Sequence, residues 1–156
     1  MTTDLIIRKA LINDVPNLLP LMDQLGYSQP IEILRAQFDI FSKQEGYGIF
    51  LADKAGAIVG WVAWSKSYLF VSPTTRIHIE GLVVDKAFRG HGIGRKLMNQ
   101  VEELAQQISP CIIDLTSGLR RAKDGSHDFY KSLGYNNEGY MSKLYLRKEI
   151  SQNSMA

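Results

Sequence analysis

The spacing of hydrophobic residues along the chain alternates between a helical period and a strand period. Apolar residues three to four positions apart predict helices over residues 13–25, 30–43, 92–107 and 124–133. Pro20 does not suit a helix interior, so the first helix is expected to kink there or to start later. Alternating or continuous apolar runs predict strands over residues 5–10, 47–52, 57–69, 77–84, 112–116 and 140–146. Gly81 is a candidate for a bulge or splay in the fourth of these strands.

The resulting order of elements, β-α-α-β-β-β-α-β-α-β, predicts an α/β protein. At least one β-α-β crossover is expected, and it should be right-handed. No linker rich in proline or glycine divides the chain. We therefore expect a single domain over residues 1–150, followed by a short polar tail over residues 151–156.

Composition narrows the class of protein. The chain has 156 residues, of which 45% are hydrophobic and 22% charged, as in an ordinary globular protein. The net charge of +2 gives no argument for a nucleic-acid partner. Cys111 is the only cysteine, so no intramolecular disulfide can form. Because the sequence contains no signal-peptide pattern and no run of 18 apolar residues, we expect a cytoplasmic protein without a membrane partner.

A glycine-rich turn at Arg89–Gly94 is the most informative segment. Its glycines, at positions 90, 92 and 94, let the backbone turn tightly and leave its N–H groups open to an anion. The predicted helix that follows adds unpaired N–H donors and a partial positive charge, and Arg95 and Lys96 add cations. This combination is typical of a pyrophosphate site, with a turn that binds no ligand as the alternative. The residues after Gly94 do not match a P-loop, and Arg95 stands where a dinucleotide fingerprint has its third glycine.

Two motifs make the chain resemble the GCN5-related N-acetyltransferases. The family motif Arg/Gln-x-x-Gly-x-Gly/Ala is matched by Arg89, Gly92 and Gly94. The second motif, Phe-Tyr-x-x-x-Gly-Tyr/Phe, is matched by Phe129–Tyr135. The segment Leu115–Arg121 and His127 look like the branch that contains aminoalkylphosphonate and aminoglycoside acetyltransferases. The resemblance extends over nearly the whole chain, and it implies a mixed, mostly antiparallel sheet flanked by about four helices.

The resemblance also implies acetyl-coenzyme A as co-substrate and indicates where it would bind. In the family, the glycine motif holds the pyrophosphate, and the preceding strand pairs with the pantetheine arm. The implied contacts are Leu82, Val83, Val84, Arg89, Gly90, His91, Gly92, Ile93, Gly94 and Arg95. Many members add an Asn after the fifth strand, where this chain has Thr116-Ser117-Gly118, so Ser117 is the candidate to replace that contact.

Acetylation of an amine requires a neutral amine, a donor for the oxyanion and an acid for the leaving thiolate. A lysine-like amine has a pKa of about 10.4, so its neutral form costs roughly 4–5 kcal/mol at pH 7. The resemblance implies Glu80 as the base, acting through water, and Tyr130 as the acid. Backbone N–H groups around Leu82 to Val84 would bind the oxyanion. Alternatively, Glu80 is a surface residue of a strand, and Tyr130 only packs against the thioethyl arm.

The expected acceptor is a small molecule with a primary amine. The walls of its site would come from the first helix pair, including Tyr27, and from the long strand with Trp64 and Tyr68, beside Glu80. Alternatively, these aromatic residues are plain packing. A protein N terminus or a lysine side chain is the second candidate acceptor, and a non-catalytic acyl-coenzyme A-binding module is a candidate of a different class.

Two further groups of residues bear on ligands. The basic run Arg120, Arg121 and Lys123 is either a solvated face or a site for an acidic group of the acceptor or for the 3′-phosphate of the cofactor. The three histidines have no metal-ligand spacing, so no metal is expected. Analogy alone suggests a homodimer.

Overall fold

The computed structural model of the chain describes residues 4–117 and 125–151. These residues belong to two compact units, residues 1–115 and residues 116–156. The strands of the first unit are β1 (Leu5–Lys9), β2 (Tyr47–Lys54), β3 (Ala57–Tyr68), β4 (Thr75–Val84) and β5 (Cys111–Leu115). Its helices are α1 (Val15–Leu25), α2 (Ile31–Lys43) and α3 (Ile93–Gln107). The second unit contains the helix α4 (Ser126–Ser132) and a short 3-10 turn at Gly139–Met141.

The five strands form one sheet in the order in which they occur along the chain. All neighbours are antiparallel except β4 and β5, which are parallel and are joined through α3. The predicted α/β class and the mixed, mostly antiparallel sheet are therefore confirmed. The basic run at residues 120, 121 and 123 lies outside the described residues.

The two faces of the sheet are covered by different helices. A Cβ atom on Gly60 would lie 3.2 Å from Leu97 of α3, so even-numbered residues in this part of β3 face α3. Trp61 and Ala63 point to the opposite face, where they share a buried cluster with Leu18 of α1 and Phe38 of α2. The face of the sheet on which a β3 side chain lies therefore determines which helices it meets.

Helix α1 runs without interruption through Pro20, so the alternative of a start after this proline is wrong. Pro20 lies only five residues after the first helical residue, and its missing N–H affects one bond, to the carbonyl of Pro16. The buried side chains Val15, Leu18 and Leu21 anchor the helix on both sides of the proline. Gly26, at a φ of 101°, ends the helix in the left-handed conformation.

The strand predicted over residues 140–146 does not form. Residues 140 and 141 belong to the 3-10 turn, and residues 142–151 have no regular structure. Alternation of apolar and polar residues predicts a strand only where another strand is available to pair with it. Here the side-chain amide of Asn137 donates to the Lys143 carbonyl at 2.9 Å and accepts from the Lys143 N–H at 2.6 Å. A side chain has therefore taken both backbone groups that a strand ladder would use at that residue.

Within residues 4–117 and 125–151, no helix combines the length and the apolar character that crossing a membrane requires. The same residues contain no group of three or more metal-ligating side chains arranged around one point.

Candidate active site

A β-bulge in β4 sets the geometry of the candidate site. The pairing of β3 with β4 shifts between Ala63, opposite Gly81, and Trp64, opposite Ile79, which leaves Glu80 without a partner. A Cβ atom on Gly81 would approach the Trp61 ring to 3.0 Å, so a larger residue would force the indole to move. The structure confirms the bulge that the sequence predicted at Gly81, and it places the extra residue at Glu80.

Glu80 is exposed and is held by a neighbouring hydroxyl. The hydroxyl of Ser65 donates a hydrogen bond of 2.6 Å to Oε1 of Glu80. Ser65 lies two residues after Ala63, on the face covered by α1 and α2. The other carboxylate oxygen has no partner among the described residues, so it can accept a proton from an amine or from a bridging water.

Ser65 also belongs to a row of residues that crosses four strands. It pairs with Tyr47 of β2 on one side and with His78 of β4 on the other, and His78 pairs with Asp114 of β5. Residues paired in this way project from the same face of a sheet, with Cβ atoms about 5 Å apart. The row brings a carboxylate, an imidazole and a hydroxyl to the same face as Ala63.

Asp114 anchors one end of this row. Its carboxylate accepts from Arg76 Nε at 2.6 Å and lies 2.7 Å from His78 Nδ1. Partial burial alone would raise the pKa of Asp114, but hydrogen bonds from Arg76 and His78 outweigh it, so the pKa lies below its usual value. His78 Nδ1 also lies 3.1 Å from the Arg76 guanidinium, so Arg76, His78 and Asp114 form one cluster. Sequence reasoning missed this cluster, because it depends on strand pairing between residues 36 positions apart.

The edge of β4 is open beyond the bulge. Pairing with β5 ends at Ile79, opposite Leu115. Residues 81–84 pair with β3 on one side only, and within residues 4–115 no strand covers their other side. This edge carries the predicted contacts Leu82, Val83 and Val84, of which Val83 is buried and the other two are half-buried. Unpaired backbone groups at such an edge can bind an extended ligand as an added strand would.

The glycine turn has the conformation that an anion site needs. Gly90 and Gly92 have φ values of 83° and 78°, in the left-handed region that favours glycine. A Cβ atom on either glycine would meet nothing within 4 Å, so the space in front of both is open. Arg89 donates from Nε to the Val84 carbonyl at 3.1 Å, which ties the turn to the end of β4. His91 is exposed.

The first turn of α3 has cations but no acidic residue and no side-chain cap. Gly92 is the N-cap, and Ile93, Gly94 and Arg95 provide the first backbone N–H groups of the helix. Arg95 and Lys96 are both exposed. Cations at a helix N terminus oppose the helix dipole, so an anion bound there would relieve an unfavourable arrangement.

Two predicted residues lie in the second unit. Tyr130 is half-buried on α4, and its ring contacts Phe129 and Tyr135, with centroids 5.2 and 6.3 Å away. The hydroxyl of Ser117 is buried and has no hydrogen-bond partner among the described residues. The contact of Ser117 with the cofactor stays a prediction.

An apolar cavity of about 550 Å³ lies between the helix pair α1–α2 and the sheet. The sheet contributes Tyr47, Ile49, Trp61 and Ala63 to its lining. The predicted acceptor residues Tyr27, Trp64 and Tyr68 do not line it. Tyr27 and Tyr68 are exposed, whereas Trp64 faces α3 and packs against Phe50 with ring centroids 5.9 Å apart. Trp61, which the sequence did not single out as an acceptor residue, is the tryptophan of β3 that faces the cavity.

A comparison with protein-family models decides the family. Residues 16–135, well over half of the chain, match the acetyltransferase (GNAT) family. The chain belongs to the acetyltransferase (GNAT) family. This membership confirms the resemblance drawn from the two motifs, both of which lie inside the matched residues. It also confirms acetyl-coenzyme A as the expected co-substrate, and the open turn at Gly90 and Gly92 and the free edge of β4 fit that molecule.

Similar proteins include small-molecule acetyltransferases. An uncharacterised N-acetyltransferase of Methanocaldococcus jannaschii is 31% identical over 102 residues, which are 65% of this chain and 44% of that protein. The GNAT chain thus spans less than half the length of that relative. An aminoglycoside N-acetyltransferase solved with coenzyme A has a TM-score of 0.79 at 18% identity, covering 96% of this chain and 98% of that one. Glucosamine-6-phosphate N-acetyltransferase from Arabidopsis thaliana has a TM-score of 0.71 at 22% identity, covering 92% and 99%. At these identities the two structures establish the GNAT fold.

Proposed function

We propose that this GNAT protein transfers an acetyl group from acetyl-coenzyme A to a primary amine of a small molecule. The observation that carries the proposal is the exposed Glu80 carboxylate at the β4 bulge, held by Ser65. It lies where the open edge of β4 begins, on the strand that neighbours the cavity-lining residues of β3. A base at this point has access to both substrates.

The proposed reaction is a direct attack on the thioester. Glu80 removes a proton from the ammonium form of the acceptor, through water, and the freed nitrogen lone pair attacks the carbonyl carbon. Backbone N–H groups of residues 82–84 bind the negative oxygen while the carbon is tetrahedral. The C–S bond then breaks, and Tyr130 donates its phenolic proton to the leaving thiolate. The nitrogen loses its second proton through water as the neutral amide forms, and a proton from water restores the Tyr130 phenol. Holding the two substrates together supplies a large part of the rate enhancement.

The cavity favours a small molecule over a protein acceptor. Its volume of about 550 Å³ is in the range of sites that enclose drug-sized ligands. A peptide or protein acceptor is the second candidate. A panel of free amines and of peptides, read by release of coenzyme A thiol, separates the two, and binding of coenzyme A without release for any amine would favour a non-catalytic module.

The acid and base roles are tested by Glu80→Gln and Tyr130→Phe, with Glu103→Gln on the exposed side of α3 as the control. At pH 7 we expect each of the two variants to lower kcat by about 100-fold or more, because a general acid or base contributes on that scale. Affinity for coenzyme A should not change in either variant. The defect of Glu80→Gln should shrink towards pH 9, where more of the amine is already neutral. Turnover equal to that of wild type from pH 6 to pH 9 would show that the assigned roles are wrong.

A further inference from the structure

The cavity between α1–α2 and the sheet carries information about the acceptor that the family does not provide. Aliphatic and aromatic side chains make up most of its lining, among them Leu34, Phe38 and Phe41. The lining residues that have polar side-chain atoms are all uncharged: Gln37, Gln44, Tyr47 and Trp61. No carboxylate lies in the lining among the described residues.

The absence of carboxylates from the lining matters for charged ligands. A ligand with several ammonium groups would lose water at each of them on entering this cavity, with no carboxylate to compensate. The cavity therefore disfavours a polycationic amino sugar and favours an apolar body. Its 550 Å³ exceeds what the surrounding core would leave as a packing defect.

The only carboxylate of the β3–β4 hairpin, Glu80, neighbours sheet residues that line the cavity. Tyr47, which lines the cavity, pairs with Ser65, and Ser65 binds Glu80. A ligand whose apolar part occupies the cavity therefore has its amine directed to Glu80. A ligand with a single amine matches the single carboxylate, Glu80.

We propose that the acceptor is a small primary amine whose apolar body occupies this cavity and whose amine reaches Glu80. This inference rests on the proposed acetyl transfer and names the class of its acceptor. Simple probes of the class are 2-phenylethylamine and its 4-methoxy derivative. Ethanolamine, putrescine and an aminoglycoside represent the polar and polycationic classes.

The first test compares these amines on the full-length protein by two readouts. Turnover is followed by release of coenzyme A thiol, and binding by quenching of tryptophan fluorescence or by calorimetry. We expect kcat/KM for 2-phenylethylamine to exceed that for ethanolamine by about 100-fold, as the loss of several apolar contacts implies.

The second test places a charge at the cavity without disturbing the core. Ile40 lines the cavity and is 65% exposed, so Ile40→Glu should fold; Ile33 on the same helix is 49% exposed and does not line it. We expect Ile40→Glu to lower affinity and kcat/KM for 2-phenylethylamine about tenfold or more, and Ile33→Glu to change neither. Melting temperature and coenzyme A affinity establish that both variants are intact.

The two readouts separate the class of acceptor from the reaction. Turnover of ethanolamine, putrescine or the aminoglycoside in preference to the phenylethylamines would overturn the acceptor class and leave acetyl transfer standing. Binding of the phenylethylamines that Ile40→Glu weakens, without any thiol release, would support the cavity's ligand class and refute the transfer. Equal effects of Ile40→Glu and Ile33→Glu would overturn the assignment of the ligand to this cavity.

Discussion

Arg8 holds two carboxylates of the first unit at the same time. Its guanidinium donates to both oxygens of Asp14, at 2.8 and 2.9 Å, and through Nε to Asp53 at 3.0 Å. Asp14 also accepts from the Leu11 N–H at 2.8 Å. The hydrogen bonds from Arg8 outweigh burial and lower the pKa of Asp14, and the same bonds raise the pKa of Arg8. One side chain thus joins β1 to β2 and to the start of α1, the helix that covers the cavity.

Replacement of Asp14 by Asn should therefore destabilise the protein in a pH-dependent way. At pH 7 we expect a loss of about 2 kcal/mol, the scale of hydrogen bonds to a charged partner. Because the pKa of Asp14 is lowered in the folded state, its stabilisation is complete above the ordinary carboxyl pKa of about 4 and is lost as the pH falls through the lowered value. Urea unfolding of wild type and Asp14→Asn at pH 7, 4 and 3 should show the difference shrinking below pH 4.

The control for this experiment is Asp39→Asn, which removes an exposed pair with Lys43 on α2. Pairs of this kind contribute a few tenths of a kcal/mol, so the change should be small at every pH. An Asp14→Asn effect that is the same at pH 7 and pH 3 would contradict the role of the charged carboxylate.

At the scale of elements, α3 has a first turn that is arranged for an anion at the expense of its own stability. Arg95→Glu should stabilise the protein without ligand by about 0.3–1 kcal/mol, because an acid suits the positive end of the helix dipole. The same change should weaken coenzyme A binding, so the rise in melting temperature at a fixed coenzyme A concentration should become smaller. Thermal unfolding with and without coenzyme A measures both effects.

Gln106→Glu, at the exposed C-terminal end of the same helix, is the matched control. It adds an acid where the dipole disfavours one, so it should lower the melting temperature slightly and leave the coenzyme A shift unchanged. If Arg95→Glu leaves that shift intact, the first turn of α3 does not bind the pyrophosphate.

The elements that could be predicted from the sequence are those whose cause is local. The glycine turn, the bulge at Gly81 and the amphipathic helix α3 depend on backbone freedom and on residues a few positions apart, so motif spacing reveals them. The sequence indicates that Trp61 and Trp64, three positions apart on a strand, lie on opposite faces of the sheet, but it does not indicate which face each one occupies. Which face meets α1 and α2 depends on how the whole sheet packs.

Two other features could not be predicted, because each depends on whether distant segments of the chain pair as strands. The His78–Asp114 contact needs the register of β4 against β5, which no local pattern specifies. The apolar alternation over residues 140–146 is compatible with a strand, yet no strand within residues 4–117 and 125–151 pairs with them, and the Asn137 amide binds Lys143 instead. Pairing between distant segments is thus the information that this sequence, read alone, did not supply.

At the scale of the whole molecule, the hydrophobic core lies in the first unit. Every buried hydrophobic residue among the described residues lies between Ala10 and Ala105, and α4 of the second unit has no buried residue. The glycine turn, the open edge of β4 and the cavity also belong to residues 1–115. The second unit carries Tyr130 and Ser117. Folding and the proposed chemistry are therefore divided unequally between the two units.

A chain that ends after Leu115 should accordingly keep its fold and lose its proposed activity. We expect a cooperative thermal transition and the far-UV spectrum of an α/β domain, because burial of apolar surface is the main stabilising term and this fragment retains the core. It should still bind coenzyme A through the turn and the β4 edge, and Gly92→Asp in the fragment should abolish that binding by placing a carboxylate at the anion site. Acetyl transfer should fall to background, since the proposed acid is missing. A fragment without a cooperative transition would mean that residues 116–151 complete the core, and full turnover by the fragment would exclude Tyr130 as the acid.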